Sequence, residues 1–136
     1  MSEREAVLFA NEAFYRAFAD RDSTAMDEVW ARDRPVVCIH PGWPPLEGRD
    51  EVMESWRAIL ANPDSPATQP RGARAYLQGE QAFVVCYEEI EGQYLIATNI
   101  FAREGGLWRL VHHQAGPTAG EPSAEDEDDG APRTVN

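Results

Sequence analysis

The residues best suited to chemistry fall in three short stretches. Cys38-Ile39-His40-Pro41-Gly42-Trp43 puts an imidazole at the end of an apolar run, directly before a proline. Asn99 lies inside a second apolar run, and Trp108-Arg109-Leu110-Val111-His112-His113 carries two more histidines on a third. An imidazole takes up a proton near neutral pH without a large shift, so His40 is the natural general base. Asn99 and the phenol of Tyr15 are neutral donors of the kind that stabilise a developing oxyanion. His40 is read equally well as a strand-end residue held by one hydrogen bond.

Strand parity says which side chains could share a pocket. A two-residue turn at Gly105-Gly106 pairs Arg103 with Trp108 and Phe101 with Leu110. A regular ladder then pairs Asn99 with His112 and turns His113 away. Trp108, Leu110, His112 and Gln114 are thus expected on one face with Ala97, Asn99 and Phe101. That mixture of bulky apolar and neutral polar groups suits a ligand pocket. Core packing alone would also explain Trp56, Trp108 and His112. Trp43, in a proline-rich loop, reads as a lid or an interface residue.

Several chemistries are excluded. His112 and His113 are neighbours whose side chains diverge on a strand, no two ligands stand at helical spacing, and there is no Cys-x-x-Cys, so no metal is expected. No glycine-rich phosphate loop and no Gly-x-Ser-x-Gly elbow occur, so no cofactor is expected either. All twelve basic residues are arginine, which removes lysine Schiff-base chemistry. The net charge of -12 repels polyphosphate, so nucleic acid is not an expected partner. No apolar run is long enough for a membrane span, and no basic-then-apolar leader opens the chain; a cytoplasmic protein with reduced Cys38 and Cys86 is expected.

The 136 residues suggest one domain over 1–117, followed by an acidic tail over 118–136. Six acids against one arginine lie beyond Pro117, and with almost no apolar residues there the tail is expected to be disordered. Val7, Ala10, Phe14 and Phe18 recur at helical spacing and predict a helix over Glu3 to Ala19. Asp22 or Ser23 caps a second helix carrying Met26, Val29 and Trp30. A strand over Val36 to Ile39 precedes a third helix over Asp50 to Leu60. Strands follow over Ala73 to Leu77, Ala82 to Ile90, Tyr94 to Arg103 and Leu107 to Ala115, with a mobile connection over 61–72. Helices gathered on one side of a largely antiparallel sheet make an α+β fold: a curved, cone-shaped sheet packed on three N-terminal helices.

This order, with His40-Pro41, Asn99 and the closing run from Ala102 to Pro117, resembles the nuclear transport factor 2-like superfamily. That superfamily includes SnoaL-like cyclases, ketosteroid isomerases and the association domain of calcium/calmodulin-dependent protein kinase II. The resemblance implies the cone fold and an interior pocket. It places His40 where the isomerases hold a basic carboxylate, Asn99 where they hold a protonated one, and Phe14, beside Tyr15, where they hold a tyrosine. It puts Glu89 and Asn99 where the association domain has pocket arginines, which changes the preference for carboxylate ligands. The implied lining is Phe14, Trp30, Cys38, Trp43, Trp56 and Tyr87, continued by Glu89, Phe101, Trp108, Leu110 and His112. The expected function is binding of a small, largely apolar molecule with cofactor-free acid/base chemistry of isomerase, cyclase or lyase type. The alternative is a non-catalytic binding or assembly domain. A homodimer is expected through the outer sheet face, where Ile100 and Val111 are expected to point.

Overall fold

The computed structural model describes residues 1–123. Helix α1 spans Glu3–Ala19 and α2 spans Ser23–Val29; strand β1 is Val37–Ile39 and β2 is Leu46–Glu47. Helix α3 covers Arg49–Ala61, and the meander β3 (Gln69–Gln78), β4 (Gln81–Ile90), β5 (Gln93–Glu104) and β6 (Leu107–Pro117) completes the fold. The strands form one sheet in the order β2-β1-β6-β5-β4-β3, with β1 parallel to β6 and the other pairs antiparallel.

Local chemistry explains most element ends. Ser2 accepts from the Glu5 amide while the Glu5 carboxylate accepts from the Ser2 amide, a reciprocal cap that starts α1. Asp22 accepts from the Ala25 amide and starts α2. The hairpin turns Glu91-Gly92 and Gly105-Gly106 have positive φ at both central residues, which matches the twist of the strands they join. The connection before β3 is shorter than the sequence predicts, because Gln69 to Arg71 already pair with β4. Strand β2 was not foreseen: two residues after Pro44-Pro45 carry too little pattern, and they form a strand only because β1 offers an open edge.

The core lies between the helices and the concave sheet face. Val7, Leu8, Asn11, Phe14 and Tyr15 of α1 and Val52, Met53, Ser55, Trp56 and Leu60 of α3 are buried there. They meet the inward residues Val84, Cys86, Ala97, Phe101 and Leu110. Packing continues past Pro117: Pro122 is buried, and Gly120 lies so close to the Tyr87 hydroxyl that an added Cβ would stand 2.9 Å from it. The acidic run from residue 124 onward, and with it the expected disorder there, lies outside the described residues.

One correction bears directly on the site. The ladder runs Phe101↔Leu110 and then Ile100↔His112, so Val111 is an extra residue, a β-bulge. Asn99 therefore pairs with His113, and His112 pairs with Ile100 on the outer face. A strict two-residue period carries no sign of such an insertion, which is why the expected Asn99–His112 pairing fails. Val111 packs against the core instead of pointing outward.

Arg21 ties the helices to the segment after α3. At φ 55° it turns the chain between α1 and α2, and its guanidinium donates to the carbonyls of Leu60, Asn62, Pro63 and Ser65 at 3.3, 2.6, 3.4 and 2.5 Å. Arg21→Ala should lower unfolding free energy by ~1 kcal/mol, since several charge-assisted bonds are lost at a partly exposed site. Arg21→Lys should not restore it, because an ammonium cannot span four carbonyls. Urea denaturation of the three proteins, with limited proteolysis to report opening of residues 61–68, checks both points.

Candidate functional site

The interior holds a connected set of polar side chains. Asn11 and Tyr15 stand one helical turn apart on α1 and face the sheet. Cys86 and Glu88 point inward from β4, Asn99 from β5 and His113 from β6, as the alternating burial of these strands requires. Cys38 comes from β1, where it sits beside His113 in the parallel ladder, and His40 follows directly after the strand. Ser55 and Trp56 come from α3. His113 is 2% exposed and Glu88 3%.

The hydrogen bonds fix most of the proton positions. Asn99 Nδ2 donates to Asn11 Oδ1 at 2.9 Å and to the Tyr15 hydroxyl at 3.1 Å. Asn99 Oδ1 can therefore only accept, and it stands 2.5 Å from His113 Nδ1. That nitrogen carries the ring hydrogen, leaving a lone pair on Nε2 of the neutral ring. His113 Nε2 is 3.8 Å from Glu88 Oε2, and Tyr15 donates to the same oxygen at 2.7 Å. On the other side, Ser55 donates to the Val52 carbonyl at 2.7 Å, so its oxygen accepts from His40 Nε2 at 3.0 Å. His40 Nδ1 then keeps its lone pair.

Burial sets the electrostatics. It pushes the Glu88 carboxyl up to about 7, against the opposing pull of the Tyr15 hydrogen bond. It pushes His113 down to about 3 and His40 down to about 4, so both rings are neutral at pH 7. The Cys38 and Cys86 thiols rise to about 12, and the Tyr15 phenol also rises; all three stay protonated. Glu88 is the one group of the set that changes charge near neutral pH.

Aromatic rings enclose the cluster. Phe14 lies 4.9 Å from the His113 ring, and Trp56 lies 4.9 Å from His40 and 6.1 Å from His113. Trp43, 44% exposed, packs edge-on against His40 at 4.8 Å. The buried indole Nε1 of Trp56 finds no oxygen or nitrogen acceptor and lies beside the Cys38 thiol.

The expected residues are thus partly gathered. His40, Asn99, Tyr15, Phe14, Cys38 and Trp56 meet in one region, with Trp43 at its edge. Trp30, Phe101 and Leu110 are fully buried core beside it, and the indole Nε1 of Trp30 is also without a partner. Trp108 shares the face of Leu110 but sits at the hairpin end, where it donates to Glu3 under an overlying Arg103. Tyr87, Glu89 and His112 point to the outer face, and Glu89 is ion-paired there with Arg71 at 2.9 Å. Glu88, His113, Asn11, Cys86 and Ser55 were missed. The first follows from parity, since Ala82, Val84, Cys86 and Glu88 alternate as the apolar side of β4. His113 could not be found without the bulge. Among the described residues, no three His, Cys, Asp or Glu side chains form a group that could hold a metal ion. No helix there is long and apolar enough to cross a membrane.

A family model for the SnoaL-like domain matches residues 7–119. The chain belongs to the SnoaL-like domain family. Two solved structures of related sequence have the same fold. One is named as a candidate dehydratase of the NTF2-like family from Streptomyces avermitilis, with 33% identity, 87% of this chain and 97% of that one covered, and a TM-score of 0.78. The other is named as a candidate calcium/calmodulin-dependent protein kinase type II association domain from Thiobacillus denitrificans, with 34% identity, coverage of 80% and 92%, and a TM-score of 0.72. An NTF2-like protein with a cystatin-like fold from Novosphingobium aromaticivorans, 20% identical with coverage of 91% and 86% and a TM-score of 0.68, shares the fold. The Arabidopsis thaliana F-box protein SKIP8 is 28% identical over 112 residues, 81% of this chain; the chain spans 48% of that relative's length. The expected α+β cone is therefore the fold of this SnoaL-like protein.

The network makes two stability predictions. Asn99→Ala strips Asn11, Tyr15 and His113 of a shared partner inside a sealed core, and should cost about 3 kcal/mol in urea unfolding. Asn11→Ala, which removes one branch, should cost less. The second concerns pH. A carboxyl whose folded value is raised holds its proton longer folded than unfolded, so its contribution favours the fold at low pH and is lost as pH rises from about 4.5 through 7. The buried histidines act oppositely, weakening the fold as pH drops below 6.5 toward 4 and 3. Relative to the native chain, Glu88→Gln should therefore gain stability progressively between pH 5 and pH 8. A difference in melting temperature that stays flat across that range would show that Glu88 does not titrate there.

Proposed function

We propose that this SnoaL-like domain binds a small, largely apolar molecule in the cone interior and moves a proton on it without a cofactor. The observation that carries the proposal is the pairing of Glu88 with His113. Two proton-accepting atoms stand 3.8 Å apart, one on a carboxyl raised to about 7 and one on a neutral imidazole. Near neutral pH such a carboxyl is partly ionised, so it can take a proton from a substrate carbon and return it elsewhere, with the imidazole lone pair beside it as a second acceptor. Tyr15 and Asn99 hold both partners in place, and the Tyr15 phenol is a neutral donor at the same spot. His40, pushed down to about 4, is a weaker base at neutral pH than the sequence suggests. Its place is to contact the ligand between Trp43 and Trp56.

The reading agrees with the dehydratase label of the Streptomyces relative, since elimination of water needs one group to remove a proton and another to protonate the departing hydroxyl. Isomerase- and cyclase-type reactions need the same proton transfer. A screen of small carbonyl and hydroxy compounds, read by ligand-induced rise in melting temperature and then by turnover, tests the proposal. His40→Ala should weaken binding with the fold intact. Glu88→Gln should abolish turnover while the chain stays folded. Turnover that persists in Glu88→Gln and vanishes in His40→Ala would return the base to His40.

The outer face supports a second element, a homodimer. Phe83 and Val85 of β4 alternate outward with Ile96 and Ile100 of β5, half-buried and covering no helix. Light scattering at micromolar concentration should give about twice the 15.2 kDa of one chain, and Ile100→Glu should return the 15.2 kDa particle.

A further inference from the structure

The geometry points to an organic ammonium ion, a protonated amine on an aromatic or alkyl body, as the ligand class of the interior site. This rests on the proposal that the interior is a small-molecule site, and it adds the chemistry of the molecule.

Acceptors outnumber donors at the centre of the cluster. Tyr15 gives its hydrogen to Glu88 Oε2, and among the described residues the only other hydrogen-bonding or ion-pairing group at the Glu88 carboxyl is His113. His113 has committed its hydrogen to Asn99, so it presents a lone pair at Nε2. A carboxylate oxygen and an imidazole lone pair, 3.8 Å apart, are close enough for one nitrogen to donate to both at ordinary bond lengths. An ammonium group brings two or three such hydrogens and a charge.

The charge balance points the same way. Glu88 is the only acidic or arginine side chain among the buried residues described, and no arginine pairs with it. Burying that charge alone is costly, so the unliganded protein keeps it neutral part of the time. An incoming cation supplies the missing counter-charge, whereas an incoming carboxylate meets a like charge and no cation. The walls suit a cation too: Phe14, Tyr15 and Trp56 surround the cluster with ring faces and edges, and Phe14 packs on Tyr15 at 4.7 Å and on Trp56 at 5.4 Å. A net charge of -12 on the chain raises the local concentration of cations before any contact forms.

A neutral ligand with a carbonyl or hydroxyl acceptor would need the opposite protonation state, since Glu88 would have to donate. The two classes therefore differ in the sign of their pH dependence. An ammonium ligand requires the ionised carboxyl, so it binds more tightly as pH rises through about 7, releasing a proton. A neutral acceptor binds less tightly over the same range and takes one up.

The experiment is isothermal titration calorimetry of the full chain at pH 6 and pH 8, in two buffers of different ionisation enthalpy. The probes are benzylamine and 2-naphthylmethylamine, each with its alcohol and carboxylate isostere. The expected result is binding of the amines, about tenfold tighter at pH 8 than at pH 6, with proton release at pH 6. The alcohols should bind more weakly and the carboxylates not at all. Glu88→Gln should remove both the pH dependence and the preference over the alcohols, and the proton release of the native chain decides the matter if that variant does not fold. An alcohol or carboxylate that binds as tightly as its amine, or amine affinity that falls with pH, would overturn the ligand class and leave the small-molecule site standing. Failure of all six probes to bind the folded chain would overturn the site itself.

Discussion

The amide of Asn99 is the interaction on which the interior depends. A sheet that closes over helices must bury one face of each strand, and any polar group on that face must find its partner inside. Asn99 uses both ends of its amide: the nitrogen serves Asn11 and Tyr15 on α1, and the oxygen serves His113 on β6. It therefore docks the first helix to the sheet in one register, because a shift of one residue on either side would orphan several buried atoms. It also fixes the tautomer of His113, and through that the character of the nitrogen facing Glu88. The docking of the first helix and the tautomer of His113 are set by the same three contacts.

The electrostatic character of the interior follows from what the fold excludes. Several charged side chains in contact with solvent are ion-paired: Arg49 with Asp27, Arg103 with Glu3, Arg71 with Glu89. Such exposed pairs contribute little to stability. Inside, burial is the largest cause shifting each of these groups toward its neutral form, for carboxyl, imidazole, thiol and phenol alike. The result is a region poor in charge but rich in hydrogen-bonding capacity, where one added proton or one added charge is felt strongly.

Sequence pattern revealed the helices, the hairpin turns and every strand but β2, because each has a local cause: a cap, a stripe, a pair of glycines. Helix α1 ends where the pattern says it ends. The candidate site was only half legible. Tyr15 and Asn99 were found and are hydrogen-bonded to each other, while His40 packs on Trp56 and bonds Ser55. Glu88 was passed over for its neighbour Glu89, although the period of β4 separates the two: one of any adjacent pair must face out, and the residue in phase with Val84 and Cys86 faces in. His112 and His113 present the same ambiguity without such a remedy. The phase of β6 changes between Leu110 and His112, and no composition rule marks where a strand gains a residue.

That extra residue has a consequence for how proteins of this shape diversify. Side chains on the concave face are hard to exchange singly, since each is locked to several neighbours. A gain or loss of one residue in β6 would leave the neighbours untouched and still rotate the following stretch by half a turn, swapping which of two adjacent imidazoles is sealed inside and which is displayed outside. His112-His113 is a doubled letter that tolerates such a slip in one direction: with the bulge closed, His112 would face Asn99 in place of His113. Divergence of the interior in this lineage can thus proceed by shifting the reading phase of a strand, with no change to the alphabet of residues already present.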